Sequence, residues 1–573
     1  MIIFELVRGA LSGVPSDLVV LTEVGAIIII ATIFAFLVRI TKQPLIPAYI
    51  LTGIVIGPLL LSLVSDTNLI VSLSNIGIVF LIFSAGLEIR LRKLKEVGLV
   101  SGFGGVLQIV LLFGIAFFVA LGLGFSGAAP TYIALVVAFS STMIVVSLLA
   151  EKRELDSLHG RIIIGILLIQ DIAAIVALAV LSSNLTFANV IMVIGKVLLF
   201  GVFAFLLSRA ANPLFRNTAG SKELFLLVSI SFLFLFSIGA FFAQLSLIIG
   251  AFFAGVALAN SDYKTEILGK ISPLREFFSV IFFVALGMQL QLISREFIFS
   301  FLVLLVLVMI IKPLVIMFLV RLFHYKERTS FFTGNALAQT SEFSFIIATI
   351  GLSLGHISQG LFSTLVLLTI LTMSFTTYFI AQEKKLFVWF SWPLHILGAY
   401  HTRKESLEFI KDTAKEIILF GCHRTGSLLL QEFDKNDLLV VDYNPEIIRN
   451  LINKKIACIY GDFLHEEILE KVNLHNSKII ISTVPDFEDN VVMIKRAKKI
   501  NHKITVIVVA ARISEAKELY AAGADYVVLP KIISGEKMID LVKKSRRDRR
   551  SLRELKREHL KQLRDVHDIL TNN

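Results

Sequence analysis

Up to about residue 383 this chain is a series of apolar runs, each long enough as a helix to cross a bilayer and separated from the next by a short polar break. No other feature limits the fold as strongly. A hydrocarbon core of about 30 Å takes roughly 20 apolar residues per helix, and at that depth backbone groups must be satisfied inside the segment, which selects helices. Thirteen candidate spans are read at 18–40, 44–63, 69–91, 98–124, 130–150, 160–183, 187–208, 222–243, 246–260, 275–291, 297–321, 331–353 and 358–382. With 56% hydrophobic and 17% charged residues among 573, the composition is that of an integral membrane protein and excludes an ordinary soluble enzyme. After residue 383 charges become frequent and apolar runs shrink to strand length. The expected organisation is a membrane domain over 1–383, a linker over 384–414, a soluble α/β domain over 415–535 and a basic helical tail over 536–573.

Two cysteines, Cys422 and Cys458, are too few for a disulfide framework and suit a reducing compartment. The first twenty residues carry Glu5 and Arg8 without the pattern of a secretory leader, so they read as part of the mature chain. Basic residues fall on alternate loops: Arg39 and Lys42; Arg90, Arg92, Lys93 and Lys95; Lys152, Arg153 and Arg161; Arg209, Arg216 and Lys222; Lys264, Lys270 and Arg275; Arg321, Lys326 and Arg328; then Lys384 and Lys385. The opposite loops are nearly bare, with Arg295 the main exception. Lys and Arg collect on the cytoplasmic side, so an odd number of spans puts the N-terminus outside and the C-terminal domain in the cytoplasm. A multi-pass protein of the cell (inner or plasma) membrane is expected.

Ionisable groups at a helix centre cost about 2.5–3.5 kcal/mol on insertion scales, so each is a functional candidate. Asp171 lies midway along the sixth span ("LLIQDIAAIVAL"), Lys312 inside the eleventh ("VMIIKPLVIM") and Glu342 within the twelfth ("ALAQTSEFSFII"). Two roles are open to Asp171: a structural carboxylate that pairs or caps a helix, or one that holds a proton and a monovalent cation in turn. Gln170 is placed to offer that cation a carbonyl oxygen, although adjacent helical residues diverge by about 100°. Lys312 is the obvious counter-charge, either as an ion pair fixing two helices or as a part of coupling.

Polar residues interrupt two further spans. The fifth holds Ser140, Ser141 and Thr142; the twelfth holds Gln339, Thr340, Ser341 and Glu342. Broken helices leave carbonyls and positive helix ends at membrane depth, which is tolerated where they line a cavity or meet protein. These spans are seven apart, as are the fourth and eleventh and the sixth and thirteenth. Seven is odd, so corresponding helices run in opposite directions, as inverted repeats require.

With these residues in place, the chain resembles the monovalent cation:proton antiporter-2 family, and within it the Kef-type potassium/proton antiporters. The likeness runs from about residue 18 to 535 and is carried by "QPLIPAYILTGIVIGP", "GLE", "SST", "LLIQDIAAI", "LIIGAFFAGVALANSDY", "FFVALGMQL" and "SEFSF". It implies a homodimer whose mobile core carries its site across the membrane in an elevator movement. It assigns Asp171 as ligand of the monovalent cation; the polar breaks and buried charges add Ser140, Ser141, Thr142, Thr340, Ser341, Glu342 and Lys312 as candidates around the translocation site. Gln170 stands where sodium-selective relatives often carry Asn or Asp, and in Kef-type members the Gln-Asp pair goes with K+. Glutathione and an accessory flavoprotein, which gate one branch, are partners raised by the resemblance alone.

From Glu416 onward, short β-branched runs alternate with helical patterns, which implies a parallel sheet covered on both faces. The first turn reads GCHRTG, with His423 in the place of the middle glycine of a dinucleotide fingerprint. Asp442 ends the second strand about 20 residues on, suited to ribose hydroxyls. "VVDYNPE", "YGDFLHEEILEK" and "GADYVVLP" resemble the RCK/KTN (TrkA-N) nucleotide-binding domain that regulates potassium channels and transporters. The resemblance implies a nucleotide held by Gly421, Cys422, His423, Arg424, Thr425, Gly426, Asp442, Tyr443, Gly461, Asp462 and Phe463. AMP suits the altered turn better than a dinucleotide, with NAD(H) and ATP as alternatives. Residues 543–564 hold eleven Lys and Arg among 22, a solvated helix or a segment facing anionic lipid or a neighbouring subunit. Nucleic acid is not an expected partner.

The expectation is a polytopic α-helical membrane protein with crossed broken helices plus a cytoplasmic Rossmann-like domain, a K+/H+ antiporter controlled by adenine nucleotide and not an enzyme. Its rivals are a Na+/H+ antiporter of the same family, a ligand-gated potassium channel, disfavoured because no "TVGYG"-like filter is present, and a membrane-anchored redox enzyme.

Overall fold

The computed structural model describes residues 19–547, 555–556 and 560, apart from 41–42, 62–66, 89–98, 153, 156, 182–186, 219–220, 260, 324, 326, 384, 388, 390–407, 410–414, 423, 435, 462, 464–465 and 485. The chain forms two compact units that divide after Leu397.

The first unit is all helical. Its elements are α1 (Val19–Ile40), α2 (Ile46–Ile56), α3 (Thr67–Glu88), α4 (Leu99–Gly122), α5 (Ala129–Ala138), α6 (Thr142–Lys152), α7 (Leu158–Leu181), α8 (Phe187–Thr218), α9 (Lys222–Phe242), α10 (Leu247–Ala259), α11 (Lys264–Met288), α12 (Arg295–Val306), α13 (Lys312–Leu322), α14 (Glu327–Ala336), α15 (Glu342–Ser353) and α16 (Gln359–Ala381). Among the described residues nine helical stretches are long and apolar enough to cross a membrane, and four shorter apolar helices accompany them. All thirteen expected spans are therefore occupied by helix. Boundaries move outside the apolar stretch: the helix of the tenth span begins at Lys264, eleven residues before its expected start, and runs through "KTEILGKISPL" despite Pro273 within it.

Among the described residues three spans are interrupted. Phe139 to Ser141 separate α5 from α6, and Leu337 to Ser341 separate α14 from α15. Between α12 and α13 a π turn covers Leu307–Ile311. It sits next to Pro313, which lacks the N–H that would continue the ladder, and π turns mark such insertions.

Glycines set the closest helix crossings. Gly86 of α3 and Gly255 of α10 face each other so closely that a Cβ on Gly255 would lie 2.2 Å from the Phe83 carbonyl oxygen. Gly53 of α2 and Gly287 of α11 meet in the same way, with a Cβ on Gly53 falling 2.1 Å from the Val284 oxygen. Lacking a hydrophobic drive between helices, membrane bundles gain by such approach. Gly255→Ala should push α3 and α10 apart and cost about 1–3 kcal/mol, read as a lower thermal midpoint in detergent; an unchanged midpoint would contradict this packing.

The second unit is a seven-stranded sheet. Its strands are β1 (Glu408–Phe409), β2 (Ile417–Phe420), β3 (Leu438–Asp442), β4 (Cys458–Tyr460), β5 (Ile479–Ser482), β6 (Thr505–Val509) and β7 (Tyr526–Val528), in the order β1-β4-β3-β2-β5-β6-β7. Between them lie α17 (Arg424–Glu432), α18 (Pro445–Asn453), α19 (Glu466–Lys471), α20 (Phe487–Ile500) and α21 (Ile513–Ala521), and α22 (Pro530–Arg547) follows. All strand pairs are parallel except β1 with β4. Every residue of β2 and β3 is buried, because helices cover both faces. Chain order reverses between β2 and β5, the switch point where such sheets bind ligands.

Candidate functional site

The two broken spans cross. Ser140 Oγ donates to the Leu337 carbonyl at 3.1 Å, and Ser344 Oγ donates to the Val136 carbonyl at 3.2 Å. The crossing sorts charge by helix polarity. The C-terminal ends of α5 and α14 carry partial negative charge, and the N-terminal ends of α6 and α15 partial positive charge. Lys312 lies at the negative ends: its Nζ donates to the carbonyls of Val137 (2.9 Å), Phe139 (2.7 Å) and Gln339 (2.6 Å), with no exposed surface. Carboxylates lie at the positive ends. Thr142, the first residue of α6, donates its hydroxyl to both oxygens of Asp171, at 3.0 and 2.9 Å, and Glu342 opens α15.

Asp171 is partly exposed whereas its neighbour Gln170 is buried. Thr142 is the hydrogen-bond donor to Asp171 among the described residues, and no ion pair to Asp171 occurs among them. The Glu342 charge repels that of Asp171, and Glu342 Oε2 has no hydrogen-bond partner. Asp171 with a single hydroxyl donor, and Glu342 with one oxygen left over, are suited to accept a proton or a cation.

Two expectations read differently in three dimensions. Lys312 was the expected counter-charge of Asp171, but its amine is given to helix ends, because three carbonyls converge there and a cation satisfies all of them. Gln170 was to offer an oxygen, but Oε1 accepts the Ser140 N–H at 2.9 Å and so closes the break. Ser141 and Thr340 serve the breaks as well: Ser141 Oγ accepts from the Ile144 N–H at 3.4 Å, and Thr340 meets the Thr372 hydroxyl at 3.2 Å. Ser341 caps α15, accepting from the Phe343 N–H at 3.2 Å.

Thr372 and Thr376 of α16 were not singled out from sequence. Thr372 Oγ1 accepts from the Thr340 N–H at 3.3 Å, and Thr376 donates to the Ala338 carbonyl at 2.9 Å. Their spacing of four on the thirteenth span was the available signal, masked because Ser and Thr commonly bond back within membrane helices. At the ends of the same helices Lys152 pairs with Glu383 at 2.6 Å, and His159 with Glu154 at 3.2 Å.

In the second unit the GCHRTG turn leaves β2 at the switch point. Gly421 has φ +83°, and a Cβ on Gly426 would lie 2.2 Å from the Gly421 oxygen, so both positions require glycine. Asp442 holds this turn: Oδ2 accepts the Cys422 N–H and Oδ1 the Asn444 N–H, each at 2.7 Å. The Gly461 N–H donates to the Asp442 carbonyl at 3.0 Å. Thr425 is exposed and Tyr443 partly buried beside the turn. Thr483, not foreseen, donates its hydroxyl to the Gly421 carbonyl at 2.8 Å. Phe463 lies in the core, its ring 5.1 Å from that of Phe420, because an apolar ring after β4 gains more from the core than from the cleft. His423, Asp462 and the Arg424 side chain lie outside the described residues.

Cys422 is fully buried and unpaired. Burial, reinforced by Asp442, pushes its thiol well up from the usual range, so it stays protonated at neutral pH. Since the thiolate is the nucleophile, iodoacetamide should modify Cys422 at least roughly tenfold more slowly in the native protein than in denaturant, as peptide mass spectrometry reads; equal rates would contradict this burial.

Comparison with known proteins places this geometry. Residues 26–382 match the family described as sodium/hydrogen exchanger, transmembrane, and residues 417–530 match the TrkA-N domain. YbaL of Escherichia coli (strain K12) is 27% identical over 540 residues, covering 91% of this chain and 96% of that protein. The glutathione-regulated potassium-efflux system protein KefC of Escherichia coli O81 (strain ED1a) is 26% identical over 491 residues, 83% of this chain and 77% of its own. The solved sodium proton antiporter MjNhaP1 of Methanocaldococcus jannaschii covers 64% of this chain and 97% of its own, with 13% identity and TM-score 0.50, a likeness of fold. The chain is a member of the sodium/hydrogen exchanger family of membrane antiporters, with a C-terminal TrkA-N domain.

Proposed function

We propose that this protein exchanges K+ for H+ by alternating access, with Asp171 as the group that holds cation and proton in turn. The observation that carries this reading is a partly exposed carboxylate at the crossing of two broken helices, with the Thr142 hydroxyl as its donor. Neutralisation by either a proton or a cation removes the cost of that charge, and competition for one carboxylate couples the two flows. K+ is favoured over Na+ by likeness to a protein named for potassium efflux. The movement is an elevator step of a core within a homodimer in the cell membrane, N-terminus outside and TrkA-N domain cytoplasmic. The test is proton movement in proteoliposomes driven by K+, Na+, Rb+ or Li+ in turn; equal or greater response to Na+ would replace the K+ assignment.

The TrkA-N domain is a nucleotide-binding fold, and the reading assigns it an adenine nucleotide, AMP before NAD(H) or ATP, as regulator. The phosphate would lie at the start of α17, where backbone N–H groups and the helix dipole favour an anion, and Asp442 would meet the ribose. Asp442→Ala removes a ribose acceptor and frees the Cys422 N–H, so nucleotide affinity should fall at least about tenfold. Calorimetry with AMP, NAD(H) and ATP reads this, and unchanged affinity refutes the assignment.

A further inference from the structure

The crossing contains two buried amides, and their hydrogen bonds give them opposite orientations. Gln170 turns its oxygen to the Ser140 N–H at 2.9 Å and leaves Nε2 without a partner. An oxygen already accepting a backbone N–H offers a cation little, and the end left over is a donor, which repels one. Gln339 has the reverse arrangement. Its Nε2 donates to the Ser141 carbonyl at 3.4 Å, and its Oε1 has no partner although the residue has no exposed surface.

A buried acceptor without a donor is uncommon in native proteins and calls for an explanation. Here a second one stands three residues along the same segment, Glu342 Oε2. The two flank the break in the twelfth span, and Gln339 is bonded to Ser141, the neighbour in sequence of the Thr142 that holds Asp171. Unsatisfied oxygens with no N–H or O–H directed at them suit a dehydrated monovalent cation, which is bound by oxygen dipoles and charge. The backbone oxygen of Gln339 is also bonded to Lys312, at 2.6 Å, so its segment is held rigidly beside the crossing.

We propose that Gln339 supplies the neutral amide oxygen of the cation site, with Glu342 as companion carboxylate to Asp171, and that Gln170 is a positioning residue that holds the Ser140 turn. This rests on Asp171 as the ion-binding group. It moves cation discrimination from the sixth span to the twelfth, so that the two broken-helix segments have different duties: the fifth is closed by Gln170, and the twelfth contacts the ion.

The test uses the full chain in proteoliposomes, with K+-dependent proton movement measured against K+ concentration and in competition with Na+, Rb+ and Li+. Gln339→Leu should raise the KM for K+ at least about tenfold, as expected for loss of one oxygen ligand to a charge, and change the order of competing cations. Gln339→Asn keeps a neutral amide oxygen on a shorter stem and should raise KM less than Gln339→Leu does. Gln170→Leu should lower the maximal rate and leave KM and cation order unchanged. Gln339→Leu gives up the long hydrogen bond to the Ser141 carbonyl, 3.4 Å, so its thermal midpoint should fall by little, and an altered KM and cation order in protein that is still folded separates lost binding from lost folding. Unchanged KM and cation order in Gln339→Leu, or their change in Gln170→Leu, overturns the proposal while an inactive Asp171→Asn leaves the parent reading standing. An active Asp171→Asn overturns both.

Discussion

Replacing Asp171 by Asn is expected to abolish cation-dependent proton movement in proteoliposomes while the protein still folds. The substitution is nearly isosteric and keeps an oxygen for the Thr142 hydroxyl, now at 2.9 and 3.0 Å from the two carboxylate oxygens. It removes both the negative charge a cation would neutralise and the site of protonation, so neither flow has a carrier. Folding should be unharmed, since an uncharged amide is easier to hold at membrane depth than a carboxylate and the repulsion from Glu342 is relieved. A residual rate above about one tenth of wild type, in protein with a wild-type thermal midpoint, would remove Asp171 from the transport site.

Lys312→Met should produce the second large effect, loss of exchange together with loss of stability. Met matches much of the length of the Lys stem but supplies no donor to the carbonyls of Val137, Phe139 and Gln339, which stand 2.9, 2.7 and 2.6 Å from Nζ. A buried acceptor left without its donor costs about 1–3 kcal/mol, so three together should cost about 3 kcal/mol or more. The negative ends of α5 and α14 would then face each other uncompensated and the crossing would open. Thermal unfolding monitored by size exclusion reads the loss; a wild-type midpoint would mean that Lys312 does not hold the breaks together. Lys312→Arg should not restore function, because a planar fork cannot point three donors as an ammonium does.

These two residues show how far the sequence leads. Asp171 and Lys312 were conspicuous because charge in an apolar span is costly wherever its partners lie, a property of composition that needs no coordinates. The thirteen spans were readable for a similar reason, as length and hydropathy are local, and so was the parallel sheet, from short β-branched runs alternating with helical ones. The boundary of the helix of the tenth span was not, because a helix can continue past the bilayer in charged residues such as Lys264 and Lys270 without a change of period.

Relations across distance are another matter. Lys312 finds its acceptors 175, 173 and 27 residues away in the chain, and no pattern around it distinguishes carbonyls from the Asp171 carboxylate as its partner. Gln170 and Gln339 are the same residue type in similar apolar surroundings, and only the crossing of the breaks turns the oxygen of one to a backbone N–H and leaves that of the other without a partner. Phe463 was placed beside a nucleotide by resemblance to the TrkA-N domain, yet packs inward against Phe420. The sequence by itself determined that the chain spans a membrane many times, where its charges lie, and that a Rossmann-like domain follows. The tertiary structure decided which atoms those charges and amides face, because a hydrogen bond depends on direction within a few tenths of an ångström, and direction is settled only when distant helices have packed.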